Sequence, residues 1–404
     1  MNRIRRVVGN LGLASVSVAL VLGVLELAAR WILSSRPPGK SGEQAVYTLF
    51  DPVLGWRNKP GAAVKYNRRE YQTEVVINSL GFRDIERAVT RLVDRPRILV
   101  LGDSFVEGYS VERDETLTRR LEILAAEAKC PMEVVNAGVH GYSTDQEALW
   151  YTREGERLRA DVVMIAVYYN DIIFLERSNY SGSPKPMVEV HDGVLTPLNT
   201  PLSEPPNSRA LPSPSAPRPI VGSALKTLLL ERLFVGAPRW HARLAKWGLL
   251  DAYDPDAVPD ELRVYKTRGR LAEVEAAWRR ADSILDSLAR TIRERGAKPV
   301  MVYSPARFEV SPRAMELTLL RYGLDATAWD ESRVRTRLGG IAASTGFAFL
   351  DLTPALHASI SLTRGEPYFP LDGHLNRLGH DTAAQALLPF VRQNGLVECR
   401  DIAQ

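Results

Sequence analysis

Four short, well-separated stretches of the chain carry the residue types of nucleophilic acyl chemistry. Gly102-Asp103-Ser104 offers a hydroxyl and Asn136-Ala137-Gly138-Val139-His140-Gly141 a glycine-containing turn. Tyr169-Asn170-Asp171 offers a carboxamide, and Asp372-Gly373-His374 an imidazole with a carboxylate close by in sequence. A serine hydroxyl is a weak nucleophile until a base takes its proton. His374 is the expected base. Asp372 is expected to accept the proton on the other ring nitrogen and so fix the tautomer. The attacked carbonyl becomes an oxyanion, which the N–H groups of Ser104 and Gly141 and the side-chain amide of Asn170 would hold. Losing one such donor typically costs about 2.7–4 kcal/mol of barrier.

Each stretch also has a plainer reading. Asp103-Ser104 would equally cap a helix. Gly138 and Gly141 would serve only a turn, as would Asn170-Asp171, and His374 would be an ordinary loop histidine. Taken together, in this order and each at a strand end, the four favour catalysis. His380 is the rival base, but it should lie inside the last helix, facing away. His140 is expected to be a loop residue only. Arg307 would either touch an anionic or sugar substrate or stay solvated. Asp351 is the lesser alternative to Asp372 as orienter.

Elements must bring these residues together. Ile98–Leu101 is a continuous apolar run, as expected of a strand buried on both faces. Glu133–Asn136, Val162–Tyr168, Pro299–Tyr303 and Ala348–Leu352 are the further strands. Leu117, Leu121, Leu124, Ala125 and Ala128 form one helical stripe. Ser143-Thr144-Asp145-Gln146-Glu147 has capping-box spacing for the next helix. Further helices are expected over Leu271–Arg295, ended by Gly296, and over Arg377–Val391. Strands alternating with helices predict an α/β fold with a parallel sheet and right-handed crossovers. Five strands fit the flavodoxin-like order 2-1-3-4-5, whose ligand crevice lies beyond the carboxyl ends of the strands. Ser104, Gly141, Asn170 and His374 follow strands one, two, three and five, so all four converge on one edge.

The chain has 404 residues, 45% of them apolar and 25% charged, with a net charge of +4. This is ordinary globular composition, and the scattered arginines leave no nucleic-acid footprint. The start differs. Arg3, Arg5 and Arg6 precede Val7–Leu25, a run without charge that would be about 29 Å long as a helix, close to the hydrocarbon thickness. Positive charge ahead of the span predicts a cytoplasmic N-terminus with the remainder outside. A cleaved signal peptide is the competing reading. Residues 1–36 are thus read as cytoplasmic tip and transmembrane helix, and 37–95 as linker and a small lead-in β subdomain with strands at Ala63–Tyr66 and Thr73–Asn78. Residues 96–395 are read as the main domain and 396–404 as a tail. An insertion, about 175–262, contains a hairpin turned at Asp192-Gly193 and would wall the cleft. Cys130 and Cys399 fall on the sheet edge opposite the site, where they would either pair or remain free thiols. No His-Glu-x-x-His helix or Cys-x-x-Cys pair is present, so neither metal nor cofactor is expected.

On these residues the chain resembles the SGNH hydrolases, also called the GDSL-type esterases, over about Arg97 to Val391 apart from the insertion. That family's four blocks centre on Ser, Gly, Asn and His, which map to Ser104, Gly141, Asn170 and His374. The resemblance implies a three-layer α/β/α fold and serine-ester chemistry. Two departures matter. The family's usual Asp-x-x-His is here Asp372-Gly373-His374, a spacing similar to that of the branch of alginate O-acetyltransferase-like proteins, which leaves the role of Asp372 open. Asn78-Ser79-Leu80-Gly81-Phe82-Arg83-Asp84 resembles a segment ahead of the domain in membrane-anchored envelope members and reads as structural. The expected function is a serine esterase acting on oxygen esters, with O-acetyl groups on a glycan or small molecule as the expected substrates. The alternative is an O-acetyltransferase to an envelope polysaccharide, working beside a membrane acyl-exporting partner. The expected location is the bacterial inner membrane, single-pass, with the catalytic domain periplasmic.

Overall fold

The computed structural model describes residues 2–34, 43–92, 94–205, 259–269 and 271–399, with scattered positions between 223 and 247. The chain divides into two compact units, 1–41 with 212–253 and 42–211 with 254–404.

In the first unit one helix spans Asn2–Ser34. Within it Gly12–Ile32, 21 residues, is long and apolar enough to cross a membrane. Leu13, Val16, Leu20 and Val24 are exposed along it. Toward its end the Glu26 carboxylate accepts hydrogen bonds from Ser223 Oγ (2.8 Å), Ala224 N (2.8 Å) and Leu225 N (2.9 Å). It so satisfies N–H groups that a helical turn leaves without partners. Part of the insertion therefore packs on the N-terminal helix. The linker after Ser34, Arg36 to Gly42, lies outside the described residues, as do 400–404 of the tail.

After a short helix, Glu43–Tyr47, the second unit has two antiparallel pairs. These are β1 (Thr48–Asp51) with β2 (Gly55–Asn58), and β3 (Ala63–Asn67) with β4 (Gln72–Val76). The β1–β2 pair is too short to show alternation in the sequence. β4 stops before Asn78 because that side chain closes a turn, its Oδ1 accepting from Leu80 N (3.0 Å) and Phe82 N (2.9 Å).

The central sheet begins with β5 (Arg97–Gly102), β6 (Glu133–Gly138) and β7 (Val162–Val167). Two small hairpins follow, β8 (Asn179–Tyr180) with β9 (Ser183–Pro184) and β10 (Val188–His191) with β11 (Val194–Pro197). The sheet resumes with β12 (Lys298–Tyr303) and β13 (Ala348–Asp351). Its order is β13-β12-β7-β5-β6 with every pairing parallel, which is the expected 2-1-3-4-5. Alternate residues of β5 feed two cores, as the strand's two-residue period requires. Leu99 and Leu101 join Leu149, Trp278, Leu285 and Leu338 on one face, from helices Thr144–Glu154, Ala272–Glu294 and Arg333–Thr345. Ile98 and Val100 join Leu121, Leu356 and Leu387 on the other, from helices Leu117–Glu127, Thr353–Thr363 and Arg377–Gln393. Sheet between two helical layers is the α/β/α build. Each buried leucine of this kind contributes about 1.5–3 kcal/mol.

β10 and β11 turn at Asp192-Gly193, both with positive φ (51° and 81°), the geometry a two-residue hairpin demands. The insertion divides between the two units. Its first hairpins belong to the second unit, while 212–253 belongs with the N-terminal helix. Cys130 and Cys399 form a disulfide, closing 269 residues of chain.

Candidate active site

β5 ends at Gly102, and the chain turns at once into a four-residue helix, Ser104–Glu107. Asp103 is its cap, with Oδ1 accepting from Phe105 N at 2.8 Å. The capping and nucleophile readings are therefore compatible: Asp103 caps, and Ser104 takes the first helical position. Arg83, fully buried, grips the far end of this segment by donating to Glu107 O (3.1 Å), Gly108 O (2.8 Å) and Val111 O (2.6 Å). Asp84 accepts from Asn136 N at 3.2 Å. The Asn78–Asp84 segment thus holds the Ser104 turn and β6 in place.

Ser104 Oγ lies 2.8 Å from His374 Nε2, although the two are 270 residues apart. His374 Nδ1 lies 2.6 Å from Asp372 Oδ1. A carboxylate on Nδ1 holds the proton there and leaves the Nε2 lone pair facing the hydroxyl. The two-residue spacing works because Gly373 has φ +87°, a turn that brings both side chains to one side. The loop closes on itself through Phe369 N to His374 O (2.9 Å) and Gly373 N to Phe369 O (2.9 Å).

Asp372 has further partners. Its Oδ2 accepts from Tyr71 Oη at 2.9 Å. Tyr109 Oη lies 3.3 Å from each carboxylate oxygen and 3.2 Å from His374 Nδ1. Burial works against the Asp372 charge, but the hydrogen bond and charge of His374, with the Tyr71 bond, outweigh it and hold its pKa at about 2. The carboxyl is ionised throughout the range in which an imidazole titrates. The His374 ring packs against Phe105 (centroids 4.7 Å apart) and Tyr109 (4.9 Å).

Gly141 follows β6 with φ +78°, and the Tyr180 ring comes within 2.4 Å of where a Cβ would stand. Only glycine fits there. Its loop is pinned from outside the sheet, for His140 O accepts from Trp56 Nε1 (2.9 Å) and Gln44 Nε2 (3.0 Å). Asn170 sits in the Tyr169–Phe174 helix after β7. That turn is fixed by Asp171, whose Oδ2 accepts from Tyr168 N at 2.9 Å. The Asn170 side-chain oxygen is buried and has no hydrogen-bond partner among the described residues. Ser104, Gly141, Asn170 and His374 all stand at the edge where the strands end.

No family model matches the chain, and no curated protein does. Solved structures do align with it. That of TesA aligns at 12% identity over 74% of this chain and 98% of its own, with a TM-score of 0.35. The esterase EstA from Pseudoalteromonas sp. aligns at 10% identity over 74% and 97%, with a TM-score of 0.36. The acetyl xylan esterase AlAXEase aligns at 10% identity over 74% and 100%, with a TM-score of 0.38. Likeness this distant leaves the chemistry to be argued from the chain's own residues.

The rival residues are otherwise engaged. His380 is buried in the last helix, and its Nδ1 accepts from Leu117 N at 3.2 Å. Burial, with the charges of Arg83 and His374, pushes its pKa down to about 3. Asp351 accepts from Thr353 N at 2.8 Å and so begins a helix. Arg307 pairs with Glu366 and donates to Pro370 O at 3.2 Å. His140 lies on the Tyr109 ring, with centroids 5.0 Å apart. Sequence reasoning missed Tyr71, Tyr109 and Glu70, because tyrosines and a glutamate in a hairpin or loop carry no motif of their own.

Proposed function

We propose that the protein is a serine esterase that removes short acyl groups, acetyl foremost, from oxygen esters on a glycan or small molecule. One observation carries the reading: hydroxyl, imidazole and carboxylate stand in line, with contacts of 2.8 Å and 2.6 Å. Ser104 Oγ attacks the ester carbonyl carbon, and its proton passes to His374 Nε2. The N–H groups of Ser104 and Gly141 and the Asn170 amide hold the oxyanion. Collapse breaks the bond to the alcohol oxygen, which leaves with the proton from His374. Water then repeats the sequence on the acyl-serine and releases the acid. Asp372 keeps the imidazole oriented and stabilises its charged form. The Tyr180 ring against Gly141 narrows the space beside the oxyanion site, which favours a small acyl group.

A second reading shares every step but the last, with a sugar hydroxyl in place of water. The candidate span Gly12–Ile32 favours it, since it would hold the enzyme beside a membrane partner that exports acyl groups. The location we propose, a single pass in a bacterial inner membrane with the catalytic domain periplasmic, is supported by that span and by the Cys130–Cys399 disulfide, which suits an oxidising compartment.

The test is turnover of an aryl acetate by the wild-type chain and by Ser104→Ala. The variant is expected to lose activity by roughly 10³-fold or more while staying folded. Unchanged turnover would overturn the assignment. Adding an oligosaccharide acceptor separates the two readings: acetylated acceptor in excess of free acetate indicates transfer.

A further inference from the structure

We infer that the turn of the β3–β4 hairpin is a positioning device for the candidate catalytic loop, acting through Glu70 and Tyr71. The inference rests on the role proposed for Asp372 and His374.

The loop from Phe369 to His374 is narrow, and Leu371 at its tip is 48% exposed. Besides its own closing bonds and Arg307 on Pro370 O, it is held by a segment 301 residues earlier. The Glu70 carboxylate accepts from Leu371 N (2.9 and 3.0 Å) and from Asp372 N (2.8 Å). Tyr71 donates to Asp372 Oδ2 at 2.9 Å, and its ring packs on Phe369 with centroids 5.0 Å apart. Backbone and side chain of Asp372 are thus both held by adjacent residues of one turn. The turn is itself braced, since Arg68 donates to both carboxylate oxygens of Glu43 (2.7 and 2.9 Å). Tyr71 is buried with Tyr66, Val75 and Tyr109 in a small core of its own.

The arrangement does two things. It sets the aim of the imidazole by fixing the carboxylate that orients it. It also moderates that carboxylate, because a phenol donating to Oδ2 draws off charge that His374 would otherwise feel. The charged and titratable groups facing the pair are Tyr71 and Glu70 from the hairpin, Tyr109 from the loop after the Ser104 helix, Asp103 beside Ser104, and His380 in the last helix. Removing the Tyr71 hydroxyl leaves a more basic Asp372 and hence an imidazolium that forms at higher pH.

The experiment compares wild type, Tyr71→Phe, Glu70→Ala and Glu70→Gln in the full-length chain. Readouts are kcat and KM for an aryl acetate, the acid limb of the pH–rate profile, and the His374 titration midpoint by imidazole NMR, assigned with His374→Gln. Tyr71→Phe is expected to move both the acid limb and the NMR midpoint upward by roughly half to one pH unit. Glu70→Ala is expected to lower kcat roughly 10–100-fold with KM little changed, and Glu70→Gln to restore most of it, since a misaimed group costs rate more than binding. A lower melting temperature in these variants, with kcat, acid limb and NMR midpoint unmoved, would overturn the inference. The NMR midpoint needs no turnover. A Tyr71→Phe midpoint that shifts in a chain without esterase activity would refute the esterase and keep the clamp.

Discussion

At the scale of single residues, the site depends on which oxygen each donor reaches. Asp372 commits one oxygen to His374 and the other to Tyr71. An amide at this position keeps the size but loses the charge, and it permits the wrong imidazole tautomer. Asp372→Asn is therefore expected to cost roughly 10³–10⁴-fold in kcat, read with an aryl acetate; a loss below tenfold would mean that the carboxylate is not the orienter. Because the Asp372 pKa is held down at about 2, its contribution to stability is present above the ordinary carboxylate range and is lost only as pH falls through that value. Tyr180 offers a second residue-scale test. Trimming its ring in Tyr180→Ala should open the space beside Gly141 and raise the butyrate-to-acetate rate ratio by roughly tenfold. A ratio that does not change would place the acyl group elsewhere.

At the scale of elements, the Ser104–Glu107 helix is too short to hold itself, and the chain ahead of the sheet holds it. Arg83 takes its carbonyls, and Tyr47 donates to Glu107 Oε2 at 3.1 Å. Glu107 is fully buried, and that burial, partly offset by Arg83, raises its pKa from 4.5 to about 7. A raised acid favours the folded state while it is neutral. Its contribution is complete below about 4.5 and is lost as pH rises through about 7. The shift corresponds to roughly 3 kcal/mol. Chemical denaturation should show stability falling across this window in wild type, and Glu107→Gln should flatten the fall. Equal slopes in the two proteins would show that Glu107 is not the group that titrates.

At the scale of the whole molecule, two features govern handling. The Cys130–Cys399 bond ties the start of β6 to the chain end across 269 residues. Cross-links over long loops typically contribute about 2–5 kcal/mol, so Cys399→Ser or a reductant should lower the melting temperature measurably. No change would mean the bond is not formed in solution. The Gly12–Ile32 segment should keep the full chain in the membrane fraction through an alkaline wash, with detergent needed for release. Recovery in the wash would argue for a cleaved leader instead.

The sequence by itself determined the sheet, its strand order and the edge where Ser104 meets His374. Those follow from apolar runs, helical stripes and turn residues, signals that are local and strong. It also determined the apolar helix at the start, because length and lack of charge suffice. The tertiary structure settles that Asp372, in the loop before the last helix, faces the imidazole while Asp351, at the end of β13, caps the helix that follows, because hydrogen-bond partners are not written in spacing. The partner that engages His380 inside the last helix, Leu117 N, and the split of the insertion between two units are likewise tertiary. That is most true of Glu70 and Tyr71. Their partners lie some three hundred residues away, and contacts at that separation exist only once packing has brought the hairpin and the loop together.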